Sequence, residues 1–321
     1  MASGTYWTWW VVAFLFMSRL SLMKVEGQLS QDFYAISCPN VEAIVRSGLR
    51  GIFARDPTAR ASMIRLVFHD CVVNGCDGSI MLNSGPGGTS ELESPSNLGV
   101  RRLDIIDTLK ARVEAACPQT VSCADIIAMA SRDAVSLSGG PDIPLLFGRF
   151  DGFEASAAAA TASLPPATIS VSDTLSLFGR MGMSAPESVA ILGAHTMGVA
   201  HCANFVNRLY PVRDPNMRLL FANSLRARCP RVFPSNAFAA MDTSNFRFDN
   251  AYFRNILNGR GLLTIDSELG LDPRTGPIVA NFADNPGAFF DFFTSAFMKL
   301  SSFNVLAASQ GEVRGNCRFI N

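Results

Sequence analysis

Charge is scarce and balanced in this chain, with 27 basic against 27 acidic residues in 321 and a formal net charge of zero. No long basic run appears, which removes nucleic acid as the main partner, because binding a phosphate backbone needs a concentrated positive face. Tryptophan is confined to Trp7, Trp9 and Trp10, and only three histidines occur, His69, His195 and His201. No Asn-x-Ser/Thr triplet is present, so N-glycosylation is not expected. The apolar run from Trp9 to Met17 is too short to span a bilayer, and no internal repeat is evident.

What the chain does have is apolar mass. At 48% hydrophobic it can bury a sizeable core in one large or two closely joined domains. Residues 1–27 read as a signal peptide, with Val25 and Gly27 suiting cleavage and a mature start at Gln28. Behind such a signal, eight cysteines imply disulfides formed in an oxidising compartment. Eight allow about 105 pairings, of which only Cys71 with Cys76 is close enough in sequence to choose unaided.

Helical periodicity dominates, and the expected class is mostly α. Asn40 to Arg55 carries Val41, Ile44, Val45, Leu49 and Ile52 at helix-face spacing. Thr58 is placed to cap the next helix, which runs through Met63, Leu66 and Val67. Asn83 to Gly99 reads as a loop and Leu103 to Ala116 as a helix ended by Pro118. Ser122 with Asp125 predicts a capping box for a helix ended by Gly139-Gly140-Pro141. Asp151 to Pro166 is expected to be an irregular linker. Ser172 to Met181, the capping box Ser184 to Glu187 with the helix it opens, Asp214 to Arg228, Asp249 to Asn258 and Pro286 to Leu300 complete the predicted helices, with no persistent strand pattern.

The chemistry concentrates in Arg65 to Ser79, RLVFHDCVVNGCDGS. Arg65 and His69 stand four apart and share a helix face, a pairing that suits a base beside a stabiliser of developing negative charge. Phe68 adds an aromatic wall. The plain alternative for His69 is a buried core histidine. Asp70, Asp77 and Ser79, with the carbonyls of Val73 and Gly75 interleaved, suit Ca²⁺. The loop is not an EF-hand, because the twelfth position from Asp70 is Met81 rather than glutamate. His195 lies among Gly193, Ala194 and Gly198, small residues that leave room for a bulky planar group or, equally, for tight helix packing.

Three motifs, the 65–79 stretch, V-S-C-A-D-I-I at 121–127 and L-G-A-H-T-M-G at 192–198, mark a chain that resembles the plant secretory (class III) haem peroxidases from Cys38 to Cys317. The resemblance implies a mature domain over 28–321, with haem b between a distal half (about 28–150) and a proximal half (about 167–300). It implies His195 as axial ligand, His69 as proton acceptor and donor, Arg65 as transition-state stabiliser and Asn97, in Ser94-Pro95-Ser96-Asn97, as the residue orienting His69. Asp266 is implied to hydrogen-bond the proximal imidazole, although an ordinary helix cap would also explain it. Pro165 is implied to hold aromatic donors through its carbonyl.

Two calcium sites are implied, a distal one at Asp70, Val73, Gly75, Asp77 and Ser79 with Glu91 through water, and a proximal one at Thr196, Asp242, Ser244 and Asp249. The pairings implied are Cys38–Cys117, Cys71–Cys76, Cys123–Cys317 and Cys202–Cys229, together with a buried Asp125–Arg149 salt bridge. Val72, Gly78, Ile143 and Ser244 depart from the usual residues, and Met241 stands where intracellular peroxidases carry a radical-forming tryptophan.

The function expected on that resemblance is a secreted, monomeric peroxidase that reduces hydrogen peroxide and oxidises small phenolic donors. The setting is the cell wall or apoplast rather than the vacuole, with roles in lignification, wall cross-linking and peroxide removal. The alternative is a catalytically silent calcium-binding wall protein of the same fold, which would lack Arg65, His69 or His195. A metal-dependent phosphohydrolase built on His69-Asp70 would need more histidine and aspartate ligands than the chain offers.

Overall fold

The computed structural model describes residues 29–84, 88–234 and 236–321, so the expected signal peptide lies outside the described residues. Among them the chain forms α1 Val41–Arg55, α2 Ala59–Val72, α3 Leu103–Ala116, α4 Cys123–Ser136, α5 Ala157–Ser163 and α6 Val171–Arg180. There follow α7 Ala185–Leu192, α8 Leu219–Arg228, α9 Ala251–Leu257, α10 Thr264–Leu269, α11 Gly276–Asp284 and α12 Pro286–Ser301. Two short strands, β1 Val199–His201 and β2 Phe238–Ala240, pair antiparallel, with His201 opposite Phe238. None of these helices is long and apolar enough to cross a membrane.

Helix α4 is the axis of the first group, and α1, α2 and α3 all pack against it. Its residues from Cys123 to Val135 are buried on every side, so its few polar groups must find partners inside. Asp125 meets Arg149 at 2.6 Å, with both side chains fully buried. Tyr34 Oη and the Gly148 N–H also donate to the Asp125 carboxylate. Ser122 Oγ accepts from the Asp125 N–H, but only half of the expected capping box forms, because the aspartate itself is committed to Arg149.

The N-terminal donors of α4 are instead satisfied from the stretch predicted as a linker. Asp151 is fully buried, and its carboxylate accepts from the N–H groups of Cys123, Ala124 and Arg314 at 3.0, 2.9 and 3.0 Å. The same stretch contains α5, capped by Ser156 Oγ. The linker expectation is therefore corrected: an alanine run with a serine before it is a good helix start. Thr58 does not cap α2 either. Its own N–H is bound by Asp56 Oδ1 at 3.0 Å, so the aspartate two residues earlier supplies the turn.

The second group is built on phenylalanine. Helices α7 and α12 pack together, as do α9 and α11, and Phe248, Phe253, Phe282, Phe289 and Phe293 form a continuous set of edge and offset contacts. A side chain at Gly193 would collide with Phe289 and Phe253, so that glycine serves close packing rather than a planar ligand. Helix α12 also reaches α2, joining the two groups. Disulfides connect Cys38 to Cys117, Cys71 to Cys76, Cys123 to Cys317 and Cys202 to Cys229.

Candidate active site

The i, i+4 spacing in α2 places Arg65 and His69 side by side, with Arg65 Nε donating to His69 Nε2 at 2.9 Å. On the other side of the ring His69 Nδ1 lies 2.6 Å from Asn97 Oδ1. The Asn97 amide is itself oriented, since its Nδ2 donates to the Glu91 carbonyl at 2.7 Å. An oxygen facing Nδ1 and a donor facing Nε2 select one tautomer: the proton sits on Nδ1 and the lone pair on Nε2.

Burial, and then the Arg65 charge, push His69 down to about 3 against the opposing effect of Asn97, so the ring is a neutral base at ordinary pH. Arg65 also donates to the Leu98 carbonyl at 3.2 Å. Phe68 sets its ring edge-on to His69 and also meets Phe178, closing one wall. His201, for which the sequence offered no role, comes close to Gly99, as Arg65 does. Gly99 has φ 85, and a side chain there would crowd Arg65 Nη1 at 3.2 Å and touch His201 Nε2 at 3.4 Å.

His195 lies in a tight turn, Gly193–Thr196, that continues α7. Its Nδ1 donates to Asp266 Oδ1 at 2.9 Å. The His195 side chain is 32% exposed although Asp266 beside it is buried, and its Nε2 has no hydrogen-bond partner among the described residues. An imidazole held through Nδ1 by a buried carboxylate, with Nε2 left free, is a donor suited to an iron ion, so these residues fit haem.

Asp266 is more than a helix cap. Oδ2 does accept from the Leu263 N–H at 2.8 Å, closing the start of α10, but Oδ1 accepts from both His195 and Tyr252 Oη, each at 2.9 Å. Burial, then the Asp266 charge, push the Tyr252 phenol far above its ordinary range, which keeps it a donor. Sequence reasoning missed Tyr252, one of two adjacent aromatics in its helix.

The last turn of α2 and the segment after it carry buried oxygens that lack partners. Glu91 is fully buried, and both its carboxylate oxygens, Asp70 Oδ1 and Ser79 Oγ have no hydrogen-bond partner. Asp70 Oδ2 accepts from the Gly78 N–H and Asp77 Oδ1 from the Ser79 N–H. Burial, followed by the neighbouring charges of Asp77 and Glu91, raises Asp70 well above the usual carboxylate range. Burial likewise lifts Glu91 to about 8.

Carboxylates that cost this much to ionise without a counter-charge fit a hard cation. No three His, Cys, Asp or Glu side chains converge tightly enough among the described residues to hold a metal alone, so main-chain carbonyls and the Ser79 hydroxyl would complete such a site. Gly78 has φ 66, and a side chain there would meet Arg314 and Asp151, which explains why glycine stands at this position.

The second oxygen cluster is assembled differently. Thr196 Oγ1 donates to Asp242 Oδ2 at 2.5 Å, and Ser244 Oγ bridges Asp242 Oδ1 and Asp249 Oδ1 at 3.1 and 3.0 Å. The four expected ligands are together, with their hydroxyls bonded to the carboxylates. Burial raises Asp242. Pro165 is half-exposed just beyond α5, which packs on the turns carrying Glu91 and Asn97; Ser94 and Thr161 join their hydroxyls there at 2.7 Å. Met241 is buried.

Comparison with known proteins gives a consistent result. The peroxidase family profile matches residues 45–285. Peroxidase 29 of Arabidopsis thaliana is 45% identical over 320 residues, covering 95% of this chain and 94% of that protein. Peroxidase 12 of Arabidopsis thaliana is 42% identical over 292 residues, covering 90% and 82%. Peroxidase 5 of Vitis vinifera is 38% identical over 325 residues, covering 97% and 96%.

Proposed function

Because the chain belongs to the plant secretory (class III) haem peroxidase family, we propose that it reduces hydrogen peroxide to water while oxidising small phenolic donors in one-electron steps. In balance, one peroxide and two donor molecules give two waters and two donor radicals, the donors supplying two electrons and two protons. The observation that carries this reading is the His69 ring, neutral, fixed in one tautomer by Asn97 and placed against Arg65.

One haem b per chain is proposed at His195, where it would supply the redox-active iron that the side chains lack. His69 accepts a proton at Nε2 from one peroxide oxygen and delivers it to the departing oxygen as water forms. Arg65 Nε holds that lone pair in the resting arrangement, so the guanidinium moves off Nε2 as peroxide enters and donates to the oxygen that gains negative charge. Asn97 keeps the other ring proton in place throughout. His195 presents Nε2, and Asp266, by pulling on the Nδ1 proton, makes that nitrogen a stronger electron donor.

Two calcium ions are proposed, at Asp70, Val73, Gly75, Asp77 and Ser79 with Glu91 nearby, and at Thr196, Asp242, Ser244 and Asp249. Asp70 directly follows His69, so the first ion would fix the end of α2 and with it the base. Pro165 is proposed to bind aromatic donors, and the protein to act as a monomer in the cell wall or apoplast. The presence of Arg65, His69 and His195 in one fold weighs against the catalytically silent alternative.

The test is direct. The secreted protein is expected to show a haem Soret band, to oxidise guaiacol with peroxide and to contain iron and calcium. Absence of the Soret band, or of turnover in a haem-loaded sample, overturns the reading.

A further inference from the structure

We infer that Tyr252 is a positioning residue that sets the electron-donor strength of His195 by sharing its carboxylate partner. The inference rests on the proposed haem site and concerns a residue to which the peroxidase reading gives no role. Asp266 Oδ1 receives two hydrogen bonds of equal length, one from His195 Nδ1 and one from Tyr252 Oη, both 2.9 Å. Oδ2 receives a third, from the Leu263 N–H at 2.8 Å. The carboxylate is fully buried, so water does not compete for it.

In such a site each donor disperses part of the negative charge, and the bonds are stronger than their counterparts in water. The phenol and the imidazole therefore draw on the same oxygen. The more charge Tyr252 takes, the less firmly Asp266 pulls the Nδ1 proton, and the less electron density His195 gains at Nε2. The phenol thus moderates the carboxylate and holds the site at a higher reduction potential than Asp266 and His195 alone would give.

The geometry is built for this task. Tyr252 lies on α9, which packs against the turn carrying His195, and its ring stands edge-on to the imidazole with centroids 5.7 Å apart. Phe253 also packs edge-on against the tyrosine, with ring centroids 5.0 Å apart. The hydroxyl is aimed by packing and has little freedom to choose another partner. A phenylalanine at 252 would keep the packing and remove the hydrogen bond alone.

The experiment uses the haem-loaded enzyme. Tyr252→Phe is expected to move the iron(III)/iron(II) midpoint potential to more negative values and to raise the iron–histidine stretching frequency of the ferrous protein. Both are read without peroxide or donor, and a purely packing role moves neither. Site-specific 3-fluorotyrosine at 252, a more acidic donor of nearly the same shape, is expected to shift both in the opposite sense, and it decides the matter if the phenylalanine variant binds haem poorly. Unchanged values, or shifts of the opposite sign, overturn the inference. A wild-type protein that holds no haem would instead overturn the proposed function.

Discussion

His69 Nδ1 and Asn97 Oδ1 are 2.6 Å apart, and the amide that makes this contact is locked from behind by the Glu91 carbonyl. The proton of the ring is therefore assigned by a chain of two hydrogen bonds that begins at the Glu91 main chain. Asn97→Ala leaves the ring free to turn and to change tautomer. Its rate of reaction with peroxide, measured by stopped flow, should fall on the order of 10²-fold, the scale expected for a misplaced catalytic group. His69→Ala sets the floor, with a loss of about 10² to 10⁴. Equal haem content in both variants shows that the loss is in proton handling.

The orphaned oxygens of Glu91, Asp70 and Ser79 predict the response to metal removal. Without a cation, buried carboxylates stand in an apolar setting with their charges close together, and the loop can relieve this only by taking up protons or opening to water. Chelation is expected to lower Tm and, because Asp70 adjoins His69, to slow peroxide reaction as well. Re-addition of Ca²⁺ should restore both. A chelated protein unchanged in Tm and rate would remove the cation from this loop.

Glu187 gives a pH dependence away from any metal. It sits at the start of the helix leading to His195. Burial opposes its charge, but hydrogen bonds from Lys299 and Ser295 on α12, and from Ser184, bring it down from 4.5 to about 2. Between those values the unfolded chain binds the proton more tightly. The stabilisation is therefore complete above about 4.5 and is lost as pH falls through about 2. Acid-unfolding curves should show Glu187→Gln less stable than wild type near pH 6, with the two converging toward pH 2.

What could be read ahead of the structure was whatever lay close along the chain. Arg65 and His69 are one helical turn apart, so their partnership follows from periodicity, and the helix Asn40 to Arg55 differs from α1 by a single residue. The contacts that tune the site span longer distances. Tyr252 reaches Asp266 across a turn between α9 and α10, and Asp151 reaches the start of α4 from a stretch whose alanines looked structureless. Helices α10 and α11 were not predicted, being only six and nine residues long, and they persist because their neighbours bury Ile265 and Leu269 of the first and Val279 and Phe282 of the second. Gly193 left two readings open for a related reason: a small residue signals close approach without saying what approaches, and here it is Phe289.

Arg314, from the last stretch of the chain, carries the remaining prediction. Its guanidinium is fully buried, donating through Nη2 to the carbonyls of Asp77 and Gly78 and through Nη1 to that of Cys317, with Asp151 3.7 Å away. One cation thus ties the disulfide-anchored tail, the N-terminal turn of α4 and the backbone at Asp77 and Gly78. Arg314→Met keeps much of the volume but leaves Asp151 without its counter-charge, a loss of about 3 to 5 kcal/mol for a broken buried pair. Because the carbonyls of Asp77 and Gly78 also lose their donors, Ca²⁺ affinity of the loop should fall along with stability. Calcium titration followed by Tm separates the two effects: a variant that is destabilised yet reaches its full calcium-dependent gain at the wild-type concentration would show that Arg314 braces the fold without shaping the loop.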